Sequence, residues 1–201
     1  MTASELVAAL RRQGISDPRV LAAMSTVPRD EFVPPDQKPY AWEDRPLPIG
    51  AGQTVSQPFV VAYTIQMLRL PPGSAVLDVG TGCGYQAAVL AECGLQVSGV
   101  EIRSGLAERA QATLSRLGYA QVHVTTGDGR QGMPERAPFD GIVVAAASRD
   151  IPAALVSQLR NPGGRLIMPL GHRRQRLVLV EPAEARPRVT DLLAVAFVPL
   201  L

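Results

Sequence analysis

From Ala75 onward, short apolar runs alternate with helical stretches, and this alternation constrains the fold more than any other feature. AVLDV (75–79), QVSGVE (96–101), QVHVTT (121–126), FDGIVVA (139–145) and GRLIMPL (164–170) read as strands. Between them, Tyr85–Glu92, Ser104–Leu117 and Ile151–Leu159 read as helices, the second capped by Ser104. A helix between two strands returns the chain in the same direction, which predicts a parallel sheet with helices on both faces. RLVLVE (176–181) and DLLAVAFVPL (191–200) have no helix between them and predict an antiparallel terminal pair. The expected class is therefore doubly wound α/β, mostly parallel, with a small helical and irregular N-terminal extension.

That extension has its own punctuation. Ser4–Gln13 reads as an amphipathic helix, capped by Ser4 and stopped by Gly14. Asp17 and Pro18 supply an N-cap and a first helical residue for a second helix. Pro28 to Gly52 carries six prolines, which exclude long helices and central strands. Ser56 then reads as the N-cap of a helix running to Arg69, with Pro58 in its first turn. At 201 residues the chain suits one domain, 1–201. Residues 1–56 form the extension and substrate-side segment, and 57–201 a ligand-binding core.

Composition excludes several classes. Net charge is +2, and the one dense basic cluster, His172 to Arg176, reads as a solvated hairpin. A nucleic-acid partner is not expected, because such proteins show a broader basic face. Cys83 and Cys93 make neither a metal pattern nor a disulfide framework, so no metal and a cytoplasmic location are expected. The N-terminus lacks the pattern of a signal peptide, and no run approaches the roughly 18 apolar residues of a membrane span, so no membrane partner is expected. A monomer is expected.

The first strand runs into DVGTGCG, Asp78 to Gly84, and a helix follows. Glycines at such a junction let backbone amides approach a ligand at a helix N-terminus. Gly80, Gly82 and Gly84 spell G-x-G-x-G, not the G-x-G-x-x-G of dinucleotide folds. Glu101 closes the second strand, where a carboxylate can accept from both hydroxyls of a ribose. Asp128 follows the third strand, where an adenine amino group could donate to it. F-D-x-I in the fourth strand and PGGRL before the fifth complete the series. Together these resemble S-adenosylmethionine-dependent methyltransferases of the Rossmann-like class. The resemblance implies methionine at the glycine loop, adenosine between Glu101 and Asp128, and S-adenosyl-L-homocysteine as product. Asp78 is expected to orient the loop or to meet the ligand amine.

A closer resemblance covers nearly the whole chain. VPRDEFVP (27–34), GQTVSQP (52–58), VLDVGTGCGYQAAVLA (76–91), GDGRQGMPERAPFDGIVVAAA (127–147), PGGRLIMPLG (162–171) and FVPL (197–200) are similar to the protein-L-isoaspartate O-methyltransferase family. GQTVSQP and FVPL are much more specific to it than the glycine loop. The resemblance implies methylation of the α-carboxyl of L-isoaspartyl residues in damaged proteins and peptides. It also implies a last group of strands in an unusual order and a catalytic serine at Ser56. Cofactor contacts are implied for Thr54, Val55, Ser56 and Gln57, for Asp78, Gly80, Thr81, Gly82 and Gly84, and for Glu101, Ile102, Asp128 and Gly129. The family commonly has threonine where this chain has Ala145. The chain ends one residue after FVPL, so cofactor contacts from beyond that segment are expected to be absent or made differently.

The chemistry explains why GQTVSQP holds hydroxyls and amides but no group that titrates near neutrality. A carboxylate is already ionised at pH 7 and attacks a sulfonium methyl without a base. The enzyme must align the groups, and proximity and orientation can supply about 7–11 kcal/mol. Three other readings fit fewer residues. One is a carboxyl methyltransferase of another peptide or small molecule. Another is a non-catalytic S-adenosylmethionine-binding module. A nucleic-acid methyltransferase would need an N-P-P-Y-type motif, which the chain lacks.

Overall fold

In the computed structural model, which describes every residue except Ala185, a seven-stranded sheet forms the centre. Before it come helices α1 (Ala3–Arg12) and α2 (Pro18–Thr26), then a two-stranded hairpin of β1 (Leu47–Gly50) and β2 (Gln53–Val55). Helix α3 (Pro58–Leu68) leads into the core elements β3 (Ala75–Val79), α4 (Tyr85–Glu92), β4 (Gln96–Glu101), α5 (Ser104–Arg116), β5 (His123–Thr126) and β6 (Gly141–Val144). Helix α6 (Ala153–Ser157), β7 (Arg165–Gly171), β8 (Gln175–Glu181) and β9 (Arg188–Val195) complete the chain. The strand order is β5-β4-β3-β6-β7-β8-β9. The first five are mutually parallel, and β7, β8 and β9 run as an antiparallel meander in chain order. The terminal antiparallel pair is present as expected, with β7 as a third member.

Side-chain alternation divides the core. Val76, Val143, Ile167, Leu177 and Leu179 face one side, in a cluster with residues of α1 to α5. Leu77, Val79, Ile142, Val144, Leu166, Met168, Val178 and Val180 face the other, with Leu155 of α6, Met133 and Phe139. Adjacent strand residues therefore serve opposite layers, as period-two geometry requires. The two N-terminal helices share the first cluster with the sheet, through Leu6, Leu10, Val20 and Met24 among others.

Three expected caps are corrected. Helix α1 begins at Ala3, not Ser4; Thr2 is its N-cap and forms a reciprocal box with Glu5. Helix α3 begins at Pro58 with Gln57 at the N-cap position, so Ser56 lies one residue outside the helix. The Asp44 carboxylate accepts the Phe59 N–H at 2.8 Å in its place. Helix α5 has Arg103, not Ser104, at its N-cap, and the Glu101 carboxylate accepts the Arg103 N–H at 2.9 Å. For α1 and α5 the acceptor is a side chain two or three residues upstream of the donor, whereas for α3 it comes from 15 positions away. Asp17 caps α2 as expected.

Several elements are also shorter than their apolar runs. β5 starts at His123, β6 spans 141–144, α6 spans 153–157, and β9 spans 188–195, not 191–200. The proline-rich segment is not wholly irregular. It holds two 3₁₀ turns, Arg29–Phe32 and Pro35–Tyr40, and the strand β1. Pro48 is tolerated in β1 because a two-stranded hairpin consists of edges. Of the cluster at His172 to Arg176, His172, Arg173 and Arg174 form the exposed turn between β7 and β8, and Gln175 and Arg176 begin β8.

Candidate active site

In the sheet, β3 has β4 on one side and β6 on the other: the chain builds outward from β3 through β4 to β5, then crosses back to β6 on the opposite side. Ligands of open α/β sheets bind at such a switch point, beyond the carboxyl ends of the strands. The segment leaving β3 there is Gly80 to Gly84. Gly80 and Gly82 have φ of +77° and +59°, in the left-handed region that disfavours side chains. A Cβ on Gly82 would also stand 3.2 Å from Cδ1 of Ile49. The loop is therefore bare backbone, folded against the β1–β2 hairpin. Gly84 has another task. It is the N-cap of α4, and a Cβ there would meet Ala110 and Leu114 of α5 at 3.3 and 3.2 Å.

A cavity opens over this loop. Thr54, Val55, Ser56, Gly80, Thr81, Gly82, Glu101, Ile102 and Gly129 all line it. So do residues that the pattern of strands and helices did not single out, including Gln86, Arg103, Ala145, Ala146 and Val198 to Leu201. The last four arrive because Val198 accepts from Ala147 N–H and Leu200 donates to Ala147 O, both at 2.8 Å. Gln175 fixes the preceding residue. Its amide accepts the Phe197 N–H at 2.6 Å and donates to the Phe197 carbonyl at 3.1 Å. The C-terminal segment is thus strapped over the end of β6. FVPL was legible as a family mark, but nothing local in it signals where it lies.

Electrostatics divide the loop's two acids. Glu101 is buried, and its two oxygens accept the N–H groups of Gly82 and Arg103, each at 2.9 Å. It therefore holds the glycine loop and the start of α5 together, and each oxygen keeps a second lone pair. Asp78 is wholly buried beneath the loop. One oxygen accepts from Gln86 Nε2 at 2.7 Å, and the other has no partner among the described residues. Burial pushes the carboxyl up to about 6. Burial also pushes the Cys83 thiol up to about 11, which keeps it protonated and poorly nucleophilic.

Besides Asp78 beneath the loop and Gly84 at the α4 cap, Asp128 and Gln57 are also outside this cavity's lining. Asp128 is exposed and outside the lining, with its carboxylate accepting the Arg130 N–H at 2.8 Å. Its neighbour Gly129 forms the wall. Gln57 faces a second cavity, of about 520 Å³, which shares Thr54, Ser56, Ala145 and Val198 with the first. Its other walls are Pro46, Phe59, Val60 and the segment Leu193 to Phe197. Every side chain lining this second cavity is neutral and none titrates. Ser56 stands where the two cavities meet, half-buried, and its hydroxyl has no hydrogen bond to any described residue.

The family model for protein-L-isoaspartate(D-aspartate) O-methyltransferase matches residues 1–201. The chain belongs to this family. Protein-L-isoaspartate O-methyltransferase 2 of Syntrophobacter fumaroxidans is 54% identical over 187 residues, 92% of this chain and 75% of that protein. The Gloeobacter violaceus protein-L-isoaspartate O-methyltransferase is 51% identical over 193 residues, 95% of this chain and 94% of that one. A solved protein-L-isoaspartate O-methyltransferase superposes with a TM-score of 0.90 at 31% identity. It covers 98% of this chain, which spans 65% of that protein's length. A Plasmodium falciparum structure described as a beta-aspartate methyltransferase, in complex with S-adenosyl-L-homocysteine, gives 0.85 at 25% identity, over 100% of this chain and 99% of that one. The sheet and its antiparallel end are those of the protein-L-isoaspartate O-methyltransferase fold. The activity read from GQTVSQP and its companion motifs is the activity of the family.

Proposed function

We propose that the chain transfers a methyl group from S-adenosylmethionine to the α-carboxylate of L-isoaspartyl residues, with Ser56 orienting that carboxylate. One observation carries this reading. Beside the cavity over the glycine loop and Glu101 lies a second one whose lining has no titrating side chain, and Ser56 is on the boundary.

The residues fit the cofactor. The bare glycine loop gives backbone close approach, and a Cβ at Gly82 would crowd Ile49. Glu101 has lone pairs left for ribose hydroxyls. The unpartnered oxygen of Asp78 lies under the loop, where an ammonium group would be favoured. When bound, S-adenosylmethionine supplies an electrophilic methyl on a positively charged sulfur.

The protein's own work is alignment. The Ser56 hydroxyl, the Thr54 hydroxyl and the Gln57 amide are neutral donors that can hold a carboxylate. A cation in their place would stabilise a negative charge that disappears in the transition state, and so would slow the step. No base is needed, because the nucleophile is ionised at neutral pH. Phe59, Val60, Val195 and Phe197 exclude water from the aligned groups. Absence of a metal, a monomeric state and a cytoplasmic site complete the reading, the last supported by two unpaired cysteines.

The test uses two synthetic peptides that differ only in an isoaspartyl or an aspartyl linkage, with radiolabelled methyl donor. Label should enter the isoaspartyl peptide alone and leave as methanol in mild alkali, because the product is an ester. Label in both peptides would mean another carboxyl specificity. Label that survives alkali would mean N- or C-methylation. Cofactor binding with no labelled product would leave a binding module.

A further inference from the structure

Arg29, the arginine of VPRDEFVP, is the largest fully buried side chain of the protein, at 0% exposure. No acidic side chain lies within ion-pair distance of it among the described residues. Its guanidinium donates instead to four backbone carbonyls. Nη1 reaches Ala41 O at 2.5 Å and Glu43 O at 3.3 Å. Nη2 reaches Arg45 O and Ser56 O, both at 3.1 Å. The plane lies over the Tyr85 ring, 5.5 Å from its centroid, and Tyr85 is the first residue of α4 after the glycine loop. Nε has no partner.

A buried charge without a directly paired counter-ion is costly, and here carbonyl dipoles and an aromatic face offset it, with the Asp44 carboxylate acting at longer range. Those carbonyls are not scattered. Three belong to the turn Ala41 to Arg45, and the fourth belongs to Ser56. The same turn carries Asp44, whose carboxylate accepts the Phe59 N–H. Ser56 and Gln57 are therefore held from both ends: the Ser56 carbonyl on Arg29, and the Phe59 amide on a turn that Arg29 itself shapes. With its carbonyl fixed toward the interior, Ser56 keeps its free hydroxyl at the boundary of the two cavities. Lysine could not replace this, since one ammonium cannot span four acceptors in a planar fork.

We infer that Arg29 is the positioning residue of the methyl-transfer site, gathering the 41–45 turn and the Ser56 carbonyl so that the Ser56 hydroxyl meets the incoming carboxylate. The inference rests on the role given to Ser56 above. It makes Arg29 part of turnover without any contact with substrate or cofactor.

A double-mutant cycle tests it, with kcat, peptide KM, S-adenosylmethionine affinity and melting temperature measured on Ser56→Ala, Arg29→Lys and the double variant. Arg29→Gln serves as a second, uncharged replacement in both backgrounds. Arg29→Lys should lower kcat about ten- to a hundredfold, the cost of a misplacement near 1 Å, with cofactor affinity unchanged. On the Ser56→Ala background the same substitution should change kcat by no more than about twofold, the scatter seen for a residue whose effect is already removed. A full second loss in the double variant would overturn the inference while leaving Ser56 catalytic. Parental kcat in Ser56→Ala would overturn the role of Ser56 itself, and this inference with it. Parental kcat in folded Arg29→Lys and Arg29→Gln, or failure of both to fold, would reduce Arg29 to a scaffold residue and overturn the inference alone.

Discussion

The Asp44 carboxylate accepts the N–H of Phe59 at 2.8 Å, across 15 positions of sequence. Helix α3 is thereby capped from a turn in the proline-rich segment, and the hydroxyl of Ser56 is released from that duty. Asp44 also accepts from Gln13 Nε2 at 3.0 Å, which ties the end of α1 to the same point.

Asp44→Ala should therefore behave as a lost cap. The expected cost is about 1 kcal/mol of stability. For a protein of this size that corresponds to a melting temperature lower by roughly 2–4 °C. Asp44→Asn, which still offers an acceptor, should recover most of it. A Asp44→Ala protein that melts like the parent would mean that solvent caps α3 equally well.

Ser56→Ala should show the opposite profile. Melting should barely move, since Ser56 caps nothing. A hydrogen bond to a charged group is worth roughly 1.5–3 kcal/mol, so kcat/KM on isoaspartyl peptide should fall about ten- to a hundredfold. Parental turnover in the folded mutant would remove Ser56 from the mechanism.

Glu101→Ala should act twice. Loss of the charge-assisted ribose interaction, worth roughly 1.5–3 kcal/mol in total, should weaken S-adenosylmethionine binding by about ten- to a hundredfold. The ligand-free protein should also melt lower, because the Gly82 and Arg103 amides lose their acceptor. Calorimetry and melting on one preparation separate the two effects. Unchanged cofactor affinity would overturn the ribose assignment.

Asp78 should give the ligand-free protein a measurable pH dependence. Burial raises its folded-state pKa to about 6, above the ordinary value of 3.8 for an aspartate. Below the unfolded value the carboxyl is protonated in both states and the fold has its full contribution. As pH rises through the folded value, the unfolded state ionises first and that contribution is lost. At about 1.4 kcal/mol per tenfold change in acidity constant, the loss is roughly 3 kcal/mol by pH 7. Asp78→Asn should flatten the dependence in denaturant titrations between pH 4 and 7. Parallel curves for mutant and parent would show that Asp78 stays ionised through another compensation.

Periodicity and turn chemistry were sufficient for the sheet. Runs such as AVLDV and QVSGVE alternate with amphipathic helices, and each strand's successive residues must face opposite layers, so the parallel core follows from local pattern. The same holds for the glycine loop, since bare backbone between a strand and a helix has few other uses, and for Glu101 at a strand's end. What local pattern could not supply were contacts between distant segments. Ser56 looked like a cap because it precedes Pro58, and only the arrival of Asp44 shows that it is not. Asp128 looked like a pocket residue because it follows the third strand, yet its carboxylate turns to the Arg130 amide and Gly129 faces the cavity. Val198 to Leu201 line the site because Ala147 and Gln175 hold that segment across the sheet's end. Apart from the local Asp128–Arg130 contact, these hydrogen bonds join residues 15 or more positions apart, and no short window along the chain contains both partners. Side-chain period determined which elements form. The closing of distant backbone donors onto their acceptors decided which of those elements' residues meet at the site, with Arg29 drawing four carbonyls to one buried charge.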